Sequence, residues 1–276
     1  MKIAYLGEIG AYSEEAAINY FGTEAVLIPH ESFHQIFQSV EDKQVDYGLV
    51  PIENSLAGSI HQNYDLLLHH NLSIIGEQYL RIRHCLIVHP NAQIADIKKI
   101  ISHPQALAQC DRYIRQLPIS STEPTYNTAG SVKMISEGSD QSVAAIASKR
   151  AAKVYGMKII AEGIEDNPAN FTRFIALATE PIQPNDNTKT SIVFSLNNEP
   201  GALFKALSVF ALRDIDMTKI ESRPQVGKVW EYLFYIDFIG SVLDQPAERA
   251  LEHLKEYALM LRVLGSYSQH KLDFSE

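Results

Sequence analysis

The sequence is short of cysteine and of positive charge, and it has no long apolar run. Its two cysteines, Cys85 and Cys110, stand 25 apart in 276 residues. That is too few for a disulfide framework, and they make no zinc site. Both read as small buried hydrophobes. Lys and Arg number 24 against 33 Asp and Glu, a formal net charge of −9. Nucleic acid and anionic membrane want a basic face, so neither is expected as the main partner. An anionic small molecule needs only a local positive site and stays open. No apolar run reaches the ~18 residues of a membrane span. The chain opens on a strand with no secretory leader pattern, so a soluble cytoplasmic protein is expected. Gly7-Glu8-Ile9-Gly10-Ala11-Tyr12 lacks the third glycine of a dinucleotide fingerprint.

Hydrophobic content of 46% and charged content of 21% are those of an ordinary soluble protein with a large core. The length suits two domains. Up to Ala178, apolar strands such as Lys2–Leu6, Tyr47–Ile52, Gln78–Val88, Ile100–Ser102, Val143–Ala147 and Phe174–Ala178 alternate with helical patterns, which predicts a mostly parallel α/β sheet. Residues 180–188 are rich in Pro, Asn and Asp and read as a linker. After them comes strand, helix, strand, strand, helix, strand, the ferredoxin-like βαββαβ unit.

Polar groups gather where strands end. Glu53, Asn54 and Ser55 follow the third strand, with Gly58 and Ser59 expected to start the next helix. Ligands in open α/β sheets lie outside the carboxyl ends of strands, although turn chemistry explains the same residues. Ser102, Thr128 and Ser148 sit at strand-to-helix corners, where hydroxyls cap helices. Several such corners on one cleft make an anion-binding lining. Asn170-Phe171-Thr172-Arg173-Phe174 sets a hydroxyl beside a guanidinium fork at the entry to a strand, a pairing suited to a carboxylate. A strand edge with a solvated Arg is the plainer reading of the pentapeptide alone.

Pro51-Ile52-Glu53-Asn54-Ser55, Ser102-His103-Pro104-Gln105-Ala106-Leu107-Ala108-Gln109-Cys110 and Thr172-Arg173-Phe174 resemble three blocks of the prephenate dehydratase family. Gly201-Ala202-Leu203 and Glu221-Ser222-Arg223-Pro224 resemble the effector blocks of its ACT regulatory domain. The resemblance implies a catalytic domain over 1–180 in two periplasmic-binding-like subdomains, 1–76 with 157–180 and 77–156, and an ACT domain over 188–270. It implies conversion of prephenate to phenylpyruvate, water and carbon dioxide, with feedback inhibition by L-phenylalanine and assembly as a homodimer or dimer of dimers. Aromatisation drives the reaction, so neither cofactor nor metal is expected.

By the same resemblance Thr172 serves the leaving hydroxyl and Arg173 binds a carboxylate. A salt bridge to the departing carboxylate would weaken as its charge leaves, so Arg173 is expected on the side-chain carboxylate. Glu53, Asn54, Ser55, Ser102, Gln105 and Thr128 are candidate contacts, and Phe174 is expected to pack beneath the site. His103 is a candidate proton donor or a cap-region side chain. Asn198, Gly201, Ala202, Leu203, Glu221 and Ser222 are the expected effector contacts. Glu8 and Ala11 stand where the family often carries Pro and Thr, and Ala11-Tyr12-Ser13-Glu14 also resembles the plastid arogenate dehydratases. The alternatives are therefore arogenate dehydration, a non-catalytic amino-acid sensor, and an ACT domain used for assembly alone.

Overall fold

The computed structural model describes residues 1–119, 121–184, 187–225, 227–228 and 230–271. Asn185 and Asp186 of the expected linker, and Val229 at the head of an expected strand, lie outside the described residues. The chain divides into two compact units, residues 1–70 with 78–175, and residues 71–77 with 176–276.

The first unit is built on two sheets. One holds β1 (Lys2–Leu6), β2 (Val26–His30), β3 (Tyr47–Asn54), the short β4 (Gly58–Ser59) and β5 (Ser73–Arg81), which enters this unit at Gln78, with helices α1 (Tyr12–Phe21), α2 (Phe33–Glu41) and α3 (His61–His69) between them. The other holds β6 (Cys85–Val88), β7 (Lys99–Ser102), β8 (Ser121–Pro124), β9 (Val143–Ala147) and β10 (Lys158–Glu162). Helices α4 (Pro104–Gln109), α5 (Asp111–Ile114), α6 (Thr128–Glu137) and α7 (Lys149–Val154) connect these strands, and β11 (Phe171–Ala178) returns to the first sheet. The orders are β2-β1-β3-β11-β5, with β4 on β3, and β10-β6-β9-β7-β8. β1 runs parallel to β2 and β3, and β7 parallel to β8 and β9.

Both faces of the second sheet are covered, and the residues show it by alternation. Cys85, Ile87, Ala145 and Ala147 pack with Ala129, Val132 and Ala151 on one face. Leu86, Val88, Ala144 and Ile146 pack with Ala106, Cys110 and Ile114 on the other. A strand buried on both sides reads as a continuous apolar run, as these do. Each free thiol thus lies in a different cluster, and burial raises both, Cys85 to about 11.

Four local expectations change. β10, expected with the first subdomain, pairs antiparallel with β6. Its Ile159 joins one cluster of the second sheet and its Ile160 the other; an apolar run does not say which sheet it joins. The chain therefore crosses between the sheets within 82–84 and 163–170 rather than near 75–78 and 155–158. The predicted strand over Gln78–Val88 is broken at residues 82–84. Gly58 and Ser59 pair with β3 instead of opening a helix. Of the three expected hydroxyl caps only Ser148 accepts from its helix, from the Ala151 N–H at 3.0 Å. At the other corners the adjacent side chain does so: His103 Nδ1 accepts from Gln105 N at 3.2 Å, and Asn127 Oδ1 from Gly130 N at 2.5 Å.

The second unit is an antiparallel sheet of β12 (Thr188–Leu196), β13 (Met217–Pro224), β14 (Tyr232–Ile239) and β15 (Ala258–Ser268), with α8 (Ala202–Ala211) and α9 (Gln245–Tyr257). The order is β13-β14-β12-β15, the expected ferredoxin-like arrangement. Ile192, Phe194, Val209, Phe210, Ile236, Phe238, Leu251 and Leu254 form its core. Residues 71–77 belong to it as well. Lys189 Nζ donates to the Glu77 carboxylate at 2.8 and 3.0 Å, with both side chains almost wholly buried. Arg262 Nη2 donates to Leu72 O at 3.1 Å, and a Cβ on Gly265 would lie 2.0 Å from Ile74 O.

Breaking such a pair from one side leaves a charge buried without its partner. Lys189→Met is expected to cost about 3–5 kcal/mol in urea unfolding followed by circular dichroism. The double variant Lys189→Met/Glu77→Leu should recover most of that loss. A double variant as unstable as the single one would show that the pair's charge is not the source of the loss.

Candidate active site

The first unit holds a cavity of about 320 Å³. The carboxyl end of β3 brings Asn54, and β11 brings Thr172 and Phe174. The first turns of α1 and α6 bring Tyr12, Ser13 and Thr128, and α4 brings Gln105 and Gln109. His84, in the break between β5 and β6, His103 and Ser59 of β4 complete the polar lining. A wider cavity of about 840 Å³ shares Tyr12, Ser13, His103 and Thr128 with it and adds Glu8, His30, Glu31 and Tyr126. Glu8 there accepts from Lys133 Nζ and from the Tyr126 hydroxyl, both at 3.2 Å.

Nine sequence-predicted residues divide into two groups. Asn54, Gln105, Thr128, Thr172 and Phe174 come together on the cavity wall. Glu53, Ser55, Ser102 and Arg173 are not among its lining residues. Successive side chains of a strand point to opposite faces. Glu53 therefore faces away from Asn54, and Arg173, 6% exposed, faces away from Thr172 and Phe174. Sequence reading set Thr172 and Arg173 side by side in a loop; because β11 already begins at Phe171, the strand separates them. The Ser55 hydroxyl donates to Ala169 O at 2.7 Å and accepts from Phe171 N at 2.9 Å, sewing the 169–171 segment to β3. Ser102 is fully buried and donates to Ile146 O at 2.6 Å.

A buried chain of hydrogen bonds runs behind the wall, and its polarity follows from two backbone amides. Leu56 N and Ala57 N donate to Asn54 Oδ1 at 3.1 and 3.0 Å, so that atom must be the oxygen. Asn54 Nδ2 then donates to Asn170 Oδ1 at 2.8 Å and to Thr172 Oγ1 at 3.0 Å. Asn170 Nδ2 in turn donates to Gln109 Oε1 at 3.0 Å. Gln109 Oε1 can only accept, so His84 Nε2, 3.0 Å away, carries a proton. His84 Nδ1 lies 2.9 Å from the Tyr12 hydroxyl, which lies 2.9 Å from Arg83 O. Thr172 Oγ1 accepts from Asn54, and among the described residues its own proton has no acceptor, so it is left for the cavity.

Sequence reasoning missed Tyr12, His84, Gln109 and Asn170 as parts of this wall. A signal existed for Gln109: it stands four residues after Gln105, on the same helical face. Burial lowers His84 and His103 below the usual imidazole range and raises the Tyr12 phenol. Among the described residues no group of three or more His, Cys, Asp or Glu is placed to hold a metal ion. None of the described helices is long and apolar enough to cross a membrane.

The expected effector residues lie in the second unit. Gly201, in the left-handed region at φ 82°, precedes α8, whose first turn holds Ala202 and Leu203; Asn198 is exposed just before it. Glu221 and Ser222 lie on β13, an edge strand.

Residues 3–182 match the family model described as prephenate dehydratase, and residues 190–256 match the ACT domain. The chain is 51% identical to "Arogenate dehydratase/prephenate dehydratase 2, chloroplastic" of Arabidopsis thaliana, covering 97% of this chain and 72% of that one. It is 49% identical to arogenate dehydratase 2 of Petunia hybrida over 97% and 71%. Among solved structures, a prephenate dehydratase from Arthrobacter aurescens in complex with L-Phe is 32% identical with a TM-score of 0.90, covering 97% of this chain and 90% of that one. A protein described as a novel type of quorum-quenching acylase is equally similar, 32% identical with a TM-score of 0.90, over 98% of both chains. The chain belongs to the prephenate dehydratase family and carries that family's catalytic region together with an ACT domain.

Proposed function

We propose that this protein is a prephenate dehydratase, a hydro-lyase that converts prephenate to phenylpyruvate, water and carbon dioxide in phenylalanine biosynthesis. The observation that carries the reading is the Thr172 hydroxyl, which accepts from Asn54 and keeps its own proton for the cavity. The difficult event is departure of the ring hydroxyl. A donor to that oxygen strengthens as charge develops there. An O–H that itself accepts a hydrogen bond is a better donor, because linked hydrogen bonds polarise one another. Thr172 thus serves the leaving oxygen, while loss of carbon dioxide and aromatisation of the ring carry the electrons that the C–O bond takes away.

The dianion's carboxylates are met by the first turns of α1 and α6, whose N–H groups point outward from positive helix ends. Gln105 and Thr128 supply polar contacts. Arg173, buried and absent from the cavity lining, is not placed to meet a substrate carboxylate with its fork. Ser55 and Ser102 hold the wall and do not touch substrate.

A second reading, arogenate dehydration, is favoured by the Glu8 and Glu31 carboxylates lining the adjoining cavity, where an ammonium finds acceptors. Inhibition by L-phenylalanine follows from the ACT domain. Its site is formed by Asn198 and Gly201–Leu203 of one copy with Glu221 and Ser222 of another, paired through the edge strand β13 into a homodimer or dimer of dimers. Two buried free thiols accord with a reducing compartment, and we place the protein in the cytoplasm.

Phenylpyruvate is read by its absorbance in alkali. Thr172→Val is expected to lower kcat about 100- to 10,000-fold, while Thr172→Ser keeps most of it. Equal activity of the Val variant would overturn the assignment of Thr172. Turnover of prephenate and arogenate by one preparation ranks the two substrates, and Glu8→Gln should lower kcat/KM on arogenate selectively. Activity on neither, with L-phenylalanine still bound, would favour the sensor reading. At 100 times its Kd, L-phenylalanine should stabilise the protein by about 2.7 kcal/mol, seen as a raised Tm that Gly201→Val abolishes.

A further inference from the structure

The reaction consumes a proton. Prephenate carries two negative charges; its products are the phenylpyruvate monoanion, neutral carbon dioxide and water, so charge balances only if one proton is added. Thr172 can pass a proton on but cannot be its source, since a hydroxyl that gives one up must regain it. Among the residues lining the 320 Å³ cavity the titratable side chains are Tyr12, His84 and His103. His103 Nδ1 is engaged at the start of α4, accepting from Gln105 N. His84 and Tyr12 are joined to each other at 2.9 Å.

We propose that the Tyr12–His84 pair stores the proton that the reaction consumes, with His84 Nδ1 as its resting place and the Tyr12 hydroxyl as its route to the cavity. The proposal rests on the dehydratase reading above. Its geometric basis is the fixed polarity of the chain that starts at Leu56 N and Ala57 N. That chain holds a proton on His84 Nε2 in every state, so only Nδ1 is free to gain or lose one. When Nδ1 is bare, the Tyr12 hydroxyl donates to it and Arg83 O goes without that donor. When Nδ1 carries a proton, it donates to the Tyr12 oxygen, the Tyr12 proton turns to Arg83 O, and every partner in the set is satisfied. The site is therefore built to accept a second proton on an imidazole only 2% exposed.

The transfer balances. An N–H bond at His84 Nδ1 breaks as an O–H bond forms on Tyr12. The Tyr12 hydroxyl swings from Arg83 O to the departing oxygen, and its original O–H breaks as an O–H bond forms there; the C–O bond breaks with its electron pair staying on that oxygen, and the pair left by the departing carbon dioxide completes the aromatic ring. His84 returns to the neutral ring and is recharged from solvent. The surroundings set when it is charged. Burial favours the neutral ring. The hydrogen bond to Gln109 and the charge of Glu165, whose carboxylate accepts from His84 N at 2.9 Å, favour the cation; Arg83 carries a positive charge next to His84 in sequence, while Glu15 of α1 acts on Tyr12 and Asp166 on Cys110. A dianion entering the cavity tips the balance toward the cation. Substrate thus loads the proton that its own reaction will use.

The test is the pH dependence of kcat on prephenate above neutral pH, for wild type, Tyr12→Phe and His84→Gln. Wild type should lose kcat as pH rises through the value of His84 in the complex. Both variants should show a flat profile and a kcat about 100-fold lower, with KM changed less than about 3-fold. Tyr12→Phe keeps the ring and its packing, so a folding defect in His84→Gln leaves the question decidable. Variants that keep the wild-type limb and rate would overturn the proposal. Absence of wild-type turnover on both prephenate and arogenate would instead remove the dehydratase reading itself.

Discussion

Two peptide N–H groups, those of Leu56 and Ala57, decide how the wall of the cavity is polarised. They can only donate, so the Asn54 oxygen must face them and its amide must face inward. Everything downstream follows by exclusion: which end of Asn170 accepts, which end of Gln109 accepts, and which nitrogen of His84 bears hydrogen. A buried network of this kind is worth little if any member can turn over, because each reversal leaves a buried donor or acceptor without a partner. Here the first member is held by main chain, which cannot reverse, in the turn that closes β3 onto β4. Ser55 then ties the same turn to the 169–171 segment, and Ile82 N donates to Asn170 O at 2.7 Å. Segments far apart in sequence are fastened around one amide.

Much of this was legible beforehand, and the failures have identifiable causes. The βαββαβ order and helix α9 over Gln245–Tyr257 are local features, and local pattern located them. Asn54, Gln105, Thr128, Thr172 and Phe174 lie in blocks whose residue types suggest a site, and they do meet. Sequence favours Ser102 over His103 as a cap because Ser is the stronger cap signal; at Asn127, whose side chain caps at least as well as Thr, the helix simply begins one residue earlier than expected. Arg173 was placed beside Thr172 because the start of β11 was set at Phe174. Moving that start to Phe171 turns a loop pair into two faces of a strand. Tyr12, His84 and Asn170 announce themselves only through partners 72, 25 and 116 positions away, and no local pattern encodes those separations.

The second sheet shows a different economy. Its β9, Val143–Ala147, is mostly alanine, and both of its faces are covered. Small side chains let α6 and α7 lie close to the sheet. Gly10 fits against Ala151 with so little room that a Cβ there would come within 2.7 Å of the Ala151 backbone. The same loop carries Ala11 and leads into Tyr12. Tight packing of small residues thus places the first turn of α1, and with it one end of the hydrogen-bonded chain, without calling on any large side chain.

Residues 71–77 have a bearing on how this protein can be taken apart. They are numbered inside the region that aligns with the catalytic family, yet their buried carboxylate, Glu77, is neutralised by Lys189 of the regulatory unit. A gene cut at the Pro- and Asn-rich segment around residue 184 therefore does not release two self-sufficient products. The leading fragment would carry Glu77 without Lys189, and the trailing one would lack the chain that passes over Gly265. Modules exchanged between relatives at that seam carry a mismatch, and a graft that respects the fold must bring the heptapeptide along with the ACT sheet.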